Sequence, residues 1–453
     1  MTMIHKIPFS ELNIWDVKSF FHQADVFSDK HPIVLFGEFL SKPQIEKIKI
    51  EDSGEYKILG ARSYGKGVFV NRIVKGSTLK MRTYQQAKEN HLFWCKVDTK
   101  NGAFGIITED LADGVGSSNM TFAKIETDKA NPEYLQILFK SKKVNEYMDG
   151  YVSGTTNRKY IKPDQLREEV KIPLPLLNEQ NRIVKNYSFR QNLALKQGLK
   201  IADLEKEIQI VLFEKLGISS IENESRVSTL KLIKYSKILD WNSGFNSLAK
   251  FESRIFENIS IDLRNSIAKD VFRGKSPKYD KNGKSLIINQ KCNRWNYIEI
   301  EHSKTVNDSW YNKIDIKFFT QEGDILINST GEGTIGRATY LNKSNAGLLY
   351  DSHILLLRLD KEFVNPLFFT YLFNSEYGQS QVENIKSAQT TKQTELGVSN
   401  LKKISFPLPP IKTQNELAQT VFDIENQIQE LKTESELNKI LAIKEFEQEI
   451  FKS

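Results

Sequence analysis

The chain has 453 residues, of which 39% are hydrophobic and 27% charged, and its formal net charge is +7. This length predicts two or three domains, and the composition excludes general disorder. Its longest apolar runs, 34–36 and 354–357, are only strand-length, which argues against a membrane span. Because the chain starts without a basic-then-apolar segment, we expect a cytoplasmic protein. The positive charge permits nucleic-acid binding but does not demonstrate it.

The few cysteines and histidines argue against a metal site. Cys95 and Cys292 lie far apart, and none of the six histidines is paired with another at metal-ligand spacing. A disulfide framework, a zinc knuckle and a structural zinc site are therefore not predicted. We expect no metal in this chain.

An internal repeat appears when the chain is compared with itself at an offset of 234 residues. Residues 118–181 align without gaps with residues 352–415 and share thirteen identities, against about four expected by chance. Each copy contains an Asn-Pro pair and, further on, a Pro-Leu-Pro segment. The sequence therefore predicts two copies of one unit, with variable regions before residues 118 and 352.

The elements of each copy are predicted in the same order. Short β-rich runs come first, at residues 67–74 and 92–97 in the first copy and 324–327 and 354–359 in the second. An Asn-Pro start then predicts one helix over 132–148 and another over 366–382. A Ser/Thr loop, an apolar strand and Pro-Leu-Pro follow, and the prolines mark the end of the globular part.

A long proline-free stretch follows each Pro-Leu-Pro, at 178–216 and 412–451. Its apolar residues recur every three or four positions, as in the a/d seam of a coiled coil, with Gln197 as a polar interruption. The predicted seam consists of Leu204, Ile208, Val211, Val421, Ile424, Ile428 and Leu431. Two such helices can bury their seams on each other; the alternative is that each helix covers its own domain. The helices carry net charges of +2 and −4, which leaves +9 on the rest of the chain.

Known catalytic motifs do not fit the sequence. Gly331–Gly336 has the spacing GxGxxG, but a strand-like run at 337–341 follows it where a nucleotide loop needs a helix. The Asn-Pro pairs at Asn131 and Asn365 lack the second proline of the amino-methyltransferase motif. No Ser/His/Asp or Cys/His group can be recognised from sequence, so no catalytic residue is predicted.

Polar and basic loops are the stronger functional signal. Lys and Arg bind phosphates, and Asn, Gln, Arg and Thr reach base edges, although lysine-rich loops are often only solvated surface. The loops of this kind contain Arg62, Lys66, Arg72, Thr156, Asn157 and Arg158 in the first copy, and Lys275, Arg337, Thr390, Thr391 and Lys392 in the second.

In the order of its parts, the whole chain resembles the specificity (S) subunit of type I restriction-modification systems. The segments that carry the resemblance are Gly154–Arg158, Ile172–Val184, Gly323–Arg337, Ala388–Lys392 and Phe406–Gln414. Two departures affect the expected contact residues. Asn157-Arg158 stands where Gln or Ser is more usual, and the second copy has Thr413 at the position that Glu179 occupies in the first.

The resemblance implies an α/β (α+β) fold with two tandem target recognition domains, separated by a pair of long antiparallel coiled-coil helices and related by a pseudo-twofold repeat. The expected boundaries are 1–176 for the first recognition domain, 177–217 for the central helix, 218–410 for the second domain and 411–453 for the C-terminal helix. Each domain would read one half of a bipartite site in double-stranded DNA, and the helices would set the gap. The resemblance places the eleven residues of the polar and basic loops, from Arg62 to Arg158 and from Lys275 to Lys392, at or near DNA.

The resemblance also implies partners, namely two methylation (M) subunits docked on the helices and motor-nuclease (R) subunits. S-adenosylmethionine, ATP and Mg would be used by those partners, with no cofactor in this chain and no membrane association. Three alternatives remain open: a specificity subunit of a related restriction-modification system, a free-standing DNA methyltransferase or nuclease, and a coiled-coil scaffold that binds proteins. Binding of S-adenosylmethionine by the chain alone would indicate the enzyme, and salt-dependent retention of duplex DNA would exclude the scaffold.

Overall fold

The computed structural model of the chain describes residues 26–41, 46–96, 99, 102–151, 161–220, 251–261, 267–387 and 395–452. The chain divides into two compact units. Unit 1 consists of Met1–Gly198 and Lys432–Ser453, and unit 2 of Leu199–Leu431. Because the division falls inside two long helices, each unit contains a segment of both.

Unit 1 is a mixed α/β structure. Its strands are β1 (Ile33–Leu35), β2 (Leu40–Ser41), β3 (Lys47–Lys49), β4 (Glu55–Ala61), β5 (Val68–Lys75), β6 (Thr83–Gln86), β7 (His91–Cys95), β8 (Phe104–Ile106), β9 (Val115–Gly116), β10 (Met120–Ile125) and β11 (Lys171–Pro173). Its helices are α1 (Pro132–Lys140), α2 (Lys142–Asp149), α3 (Pro163–Glu169) and the first part of α4 (Leu177–Leu216). The strands form sheets of order β2-β10-β7-β8 and β3-β6-β9-β4-β5, and β1 pairs with β11.

Unit 2 has the same classes of element. Its strands are β12 (Ile218–Ser220), β13 (Phe251–Ser253), β14 (Asn258–Ser260), β15 (Ala268–Arg273), β16 (Ser285–Ile288), β17 (Lys304–Val306), β18 (Asp324–Asn328), β19 (Ala338–Tyr340), β20 (Leu349–Tyr350), β21 (Ile354–Leu359) and β22 (Ser405–Pro407). Its helices are α5 (Asp308–Tyr311), α6 (Pro366–Asn374), α7 (Glu376–Ser387), α8 (Val398–Leu401) and the first part of α9 (Ile411–Ile450). The sheets have the orders β15-β21-β18-β19 and β17-β16-β20, with pairs β12-β13 and β14-β22.

Strand β21 forms the centre of unit 2 because both of its faces are apolar. Leu355 and Leu357 point into a buried cluster with Phe369 of α6, whereas Ile354 and Leu356 belong to a second buried cluster on the other face. Side chains alternate between the faces of a strand, so a continuous apolar run indicates burial on both sides. This sheet supplies the rigid frame on which the loops of unit 2 stand.

The single helices predicted over 132–148 and 366–382 are each broken in two, so this prediction was wrong. Ser141 and Ser375 interrupt them with extended backbones, at ψ 130° and ψ 170°. The Ser141 hydroxyl accepts a hydrogen bond from the Val144 N–H and caps α2, and the Ser375 hydroxyl donates to the Leu372 carbonyl. Serine side chains compete with helical backbone bonding in this way.

A buried glutamine joins the globular part of unit 1 to α4. The side-chain amide of Gln180 donates to the carbonyls of Lys129 (2.9 Å) and Pro175 (2.7 Å), and its oxygen accepts from the Asn131 N–H (2.7 Å). The Asn131 side chain in turn caps α1 and donates to Asn181 (2.7 Å). Gln180 is fully buried, and each of these hydrogen bonds fixes the helix relative to the domain.

The same joint is present in unit 2. Gln414, also fully buried, donates to the carbonyls of Phe363 (2.9 Å) and Pro409 (2.8 Å) and accepts from the Asn365 N–H (2.9 Å). Asn365 caps α6 and donates to Asn415 (2.8 Å). The repeated Asn-Pro pair and the Gln-Asn pair after Pro-Leu-Pro are thus the residues that attach the globular part of each unit to its long helix.

Candidate nucleic-acid interface

In unit 2, several loops leave the same edge of the four-stranded sheet. Asn328 at the end of β18 lies opposite Ile354 at the start of β21, and Arg273 at the end of β15 lies opposite Leu355. The segments after β15 and β18 and the segment before β21 therefore emerge together. We call them the loop edge of unit 2: residues 274–275, 329–337 and 351–353, with Arg273 and Gln290 beside them.

Polar side chains cluster on this edge. The Thr330 hydroxyl lies 2.8 Å from Nδ1 of His353 and donates to Oε1 of Gln290 at 3.2 Å. Arg273 donates through Nε to the Ser352 carbonyl at 2.9 Å and pairs with Glu395 at 2.6 Å. These groups carry the donors and acceptors that base edges and phosphates require.

The glycine-rich segment is a loop between two strands, because β19 follows it. Gly331, Gly333 and Gly336 all have positive φ, between 73° and 99°, which other residues adopt only with strain. Arg337 donates from Nη2 to the Gly333 carbonyl at 2.9 Å and so closes the loop on itself. The fully buried Asn293 fixes its base, donating to the carbonyls of Leu326 and Arg337.

The buried Asp351 lies within this edge. Its carboxylate accepts the His353 N–H at 2.9 Å. Burial raises the pKa of Asp351, and the hydrogen bond from His353 opposes that shift only in part. The ionised form of Asp351 is therefore less favourable in the folded protein than in the unfolded chain.

The predicted basic residues of unit 2 lie on the loop edge, but each makes an internal contact. The ammonium of Lys275 is 3.7 Å from the centre of the Phe318 ring, and its backbone N–H donates to the Tyr350 carbonyl. Arg337 holds the glycine loop and lies 5.9 Å from the Trp295 ring. Their assignment as DNA contacts stays a prediction.

The Ser/Thr segments lie outside the described residues. Thr390, Thr391 and Lys392 fall in 388–394, and Thr156, Asn157 and Arg158 fall in 152–160. The residues just after these segments are described. Each forms a hydrogen bond with the loop that follows the corresponding strand, β18 in unit 2 and β7 in unit 1. The Leu396 N–H donates to the Ser329 carbonyl at 2.8 Å, and the Ile161 N–H to the Thr99 hydroxyl at 3.5 Å.

Unit 1 has a corresponding loop edge. Cys95 at the end of β7 pairs with Met120 at the start of β10, and Trp94 pairs with Phe104 at the start of β8. The segments around Lys96, Thr99 and Asn119 therefore emerge together. We call residues 96, 99, 102–103 and 117–119 the loop edge of unit 1.

The hairpin between β4 and β5 is attached to this edge. The Gly65 N–H donates to the Gly102 carbonyl at 2.8 Å. This brings the predicted residues Arg62 and Lys66 to the loop edge, where the Arg62 guanidinium lies 4.7 Å from the centre of the Phe69 ring. Arg72 instead lies within β5, the outer strand of the five-stranded sheet, opposite Ile58.

Sequence reasoning missed Arg273, Gln290, His353 and Lys96. Gln290 and His353 are separated by more than sixty positions in the chain, and only the pairing of the strands brings them together. A polar residue next to the end of a predicted strand is the one signal that could have indicated them.

The predicted helix seam divides between two environments. Within unit 2, Leu204, Ile208, Val421, Ile424 and Ile428 share one buried cluster, and Leu431 packs against it. Val211 packs instead against the core cluster of the second domain. Leu212 occupies the position in the helix seam that the heptad spacing had predicted for Val211. A helix with 3.6 residues per turn drifts from a strict heptad, which shifts the buried position by one residue.

Within unit 1, Tyr187 of α4 and Ala442 and Phe446 of α9 belong to one buried apolar cluster, and polar side chains also join the two helices. Arg182 contacts Glu449 (3.1 Å), Arg190 contacts Glu445 (2.7 Å) and Gln197 donates to Glu434 (2.8 Å). Position numbers rise along α4 as they fall along α9, so these segments are antiparallel. Gln197, the predicted polar interruption, also accepts from Asn438 at 3.1 Å.

Among the described residues, no group of three or more His, Cys, Asp or Glu side chains is placed to hold a metal ion. Cys95 and Cys292 are not joined in a disulfide, and burial raises the pKa of Cys292. None of the helices in the described ranges is long and apolar enough to cross a bilayer.

The sequence matches the family described as the type I restriction modification DNA specificity domain over residues 36–202 and again over 255–441. The chain therefore belongs to this family, with two copies of the domain in tandem. This confirms the family indicated by the sequence motifs and the expectation of two mixed α/β domains with long helices. The predicted boundaries stay predictions, although α4 and α9 fall within the expected ranges 177–217 and 411–453.

Among known proteins, the chain is 23% identical to the specificity subunit of the type I restriction enzyme MjaVIII of Methanocaldococcus jannaschii, over 71% of this chain and 70% of that protein. It is 30% identical to the StySPI specificity subunit of Salmonella potsdam over 111 residues, 24% of each protein. Shorter matches of this kind span only about a quarter of the relative's length. A chain from a solved structure of the type I restriction-modification system has the same fold, with a TM-score of 0.55 and 14% identity over 93% of this chain and 97% of that one.

Proposed function

We propose that this protein is the DNA sequence-recognition subunit of a type I restriction-modification complex. The observation that carries the proposal is the loop edge, present once in each unit, where polar and basic side chains emerge from a rigid sheet. Each unit would read one half of a bipartite target in double-stranded DNA. Phosphate contacts from lysine and arginine would set the position, and amide, hydroxyl and imidazole groups would read base edges.

The long helices would set the gap between the two half-sites. Forty residues at 1.5 Å per residue give about 60 Å of helix, and half-sites on one face of DNA recur about every 34 to 36 Å. The buried joints at Gln180 and Gln414 support this role, because they fix each domain to its helix. A spacer can set a distance only when its ends are held.

The helices would also dock the methylation subunits. Several large apolar side chains of the helix segments in unit 1 are exposed, namely Phe189, Leu195, Leu437 and Ile440. A docked methylation subunit would bury these side chains and remove their apolar surface from water. Two methylation subunits would use S-adenosylmethionine, and motor-nuclease subunits would use ATP and Mg. This chain would supply recognition, with no catalytic step and no cofactor of its own, in the cytoplasm.

Two measurements test the proposal. Mapping methylated adenines in the host genome, with and without this chain, should reveal one bipartite motif that disappears when the chain is removed. The purified complex should then bind a duplex with this motif more tightly than a scrambled duplex, and affinity should fall steeply between 50 and 200 mM salt. An unchanged methylation pattern would contradict the proposal.

A further inference from the structure

The tip of the β4–β5 hairpin holds a tyrosine in an unusual backbone conformation. Tyr64 and Gly65 both have a φ of 60°. They lie in the loop 62–67 between the two strands, and Gly and Asn are the residues that adopt a positive φ with least strain. An aromatic residue with this φ is strained, so Tyr64 lowers the stability of the hairpin tip.

Burial of the ring does not explain this choice. The side chain of Tyr64 is 59% exposed, although tyrosine is large and mostly apolar. Asparagine would satisfy the turn without exposing apolar surface. Strained residues that folding does not require are concentrated at functional sites.

The turn holds Tyr64 firmly. The Gly65 N–H donates to the Gly102 carbonyl (2.8 Å), and its carbonyl accepts from Nε2 of Gln136 (2.7 Å). A Cβ at position 65 would collide with the carbonyl of Phe139, so only glycine fits there. The Arg62 N–H donates to the Gly67 carbonyl (2.9 Å) and closes the base of the turn. A side chain presented on such a clamped turn loses little freedom on binding.

The surroundings of Tyr64 favour a nucleic-acid ligand. Arg62 and Lys66 flank it in the chain, and the bond from Gly65 to Gly102 places the turn on the loop edge of unit 1. Cations beside an exposed ring in the chain suit a DNA duplex, since lysine and arginine contact phosphates and an apolar ring can enter a groove or a base step.

We propose that Tyr64 is a specificity-determining residue whose ring contacts a base or base-pair step of the half-site bound by unit 1. This inference rests on the proposed function, because it assumes that the loop edge binds DNA. The ring would act as an apolar wedge in a groove, and the hydroxyl would bond to a base edge or a phosphate.

The test compares Tyr64→Asn with Tyr64→Phe in the full chain copurified with its partner subunits. Asparagine keeps the turn and removes the ring, so we expect unchanged or higher thermal stability and about tenfold weaker binding to the motif duplex. Phenylalanine keeps the ring and should retain most of the affinity. Phe363→Ala is the matched control, because Phe363 is 51% exposed and follows β21 at the opposite edge of its sheet.

Salt dependence distinguishes the ring from a charge. Tyr64→Asn should leave the slope of log K against log salt unchanged. Lys66→Ala should reduce the magnitude of that slope by about one, because one phosphate contact is lost. The inference is overturned if Tyr64→Asn binds the motif duplex like wild type, or if it lowers thermal stability, which would make the ring a packing group. Failure of the wild-type complex to prefer its motif would instead refute the proposed function.

Discussion

At the scale of single residues, the buried amide of Gln180 connects three backbone groups of unit 1. Its replacement by alanine would leave the Asn131 N–H and the carbonyls of Lys129 and Pro175 without this partner. Buried polar groups without partners cost about 1 to 3 kcal/mol each. We expect Gln180→Ala to lower the free energy of unfolding of unit 1 by about 3 kcal/mol or more, measured by urea denaturation.

A surface glutamine on the other long helix provides the control for this prediction. Gln419 donates to Asp423 at an exposed position, and surface pairs contribute little to stability. Gln419→Ala should therefore change the free energy of unfolding by less than about 0.5 kcal/mol. Equal effects of the two substitutions would show that the joint does not hold the domain.

Asp351 should make the stability of unit 2 depend on pH. Its pKa in the folded protein is raised by burial above the ordinary value of 3.8. The folded state therefore binds the proton more tightly than the unfolded state, so this contribution is complete at low pH and is lost as pH rises through the folded pKa. We expect Asp351→Asn to gain stability relative to wild type between pH 4 and pH 7, measured by thermal unfolding. A constant difference across this range would contradict the prediction.

The basic residues of the loops could be predicted from the local sequence, but their contacts could not. Arg62, Lys66, Lys275 and Arg337 stand out as basic residues in loops, and all four lie at or beside a loop edge. Their internal contacts, such as Lys275 over Phe318, depend on partners distant in sequence. His353 directly precedes the apolar strand β21. Only the pairing register of that strand shows that His353 lies on the loop edge.

At the scale of elements, α9 buries one face and exposes another. Ile424 is 6% exposed within the apolar cluster of unit 2, whereas Ile440 of the same helix is 62% exposed. We expect Ile424→Ala to lower the free energy of unfolding by about 2 to 4 kcal/mol. Ile440→Ala should change it by less than about 0.5 kcal/mol, with both measured by denaturant titration.

The exposed residue provides a second measurement on the same helix. If the helices dock the methylation subunits, Ile440→Glu should weaken copurification of those subunits while leaving the thermal stability of the chain unchanged. Intact copurification would place the docking surface elsewhere. A loss of stability would show that Ile440 packs within the chain.

The helices were the elements most fully predictable from sequence, since their spacing and lack of proline define α4 and α9 to within a few residues. The periodicity could not show that in unit 1 polar pairs of Arg190 and Gln197 with acidic residues accompany the buried apolar residues of the two helices. Apolar spacing identifies a buried face but not the group that covers it. The breaks at Ser141 and Ser375 were missed for a related reason, because a serine is compatible with both a helix interior and a cap.

At the scale of the whole molecule, the 234-residue repeat predicted two units, and the structure gives the repeat a physical meaning. The two joints form the same hydrogen bonds with lengths that agree within 0.2 Å, from residues that are identical in both copies or that donate or accept through backbone groups. The loops diverge in sequence and length, and each unit holds its own by different contacts, such as Gly65 with Gly102 in unit 1 and Arg337 with Gly333 in unit 2. The repeat therefore preserves the attachment of each domain to its helix and leaves the loop edges free to vary.

Because each unit builds its loop edge from its own strands, a change on one edge should alter only one half of the DNA target. His353→Ala removes the imidazole that contacts the Thr330 hydroxyl on the edge of unit 2, and leaves the hydrogen bond from Thr330 to Gln290 in place. We expect relaxed base preference at one or two positions in a single half-site, with the other half-site and the gap unchanged. Sequencing of methylated adenines in cells with the variant would measure this, with Phe363→Ala as the control that should keep the wild-type motif. Changes in both half-sites would mean that the units do not read DNA independently.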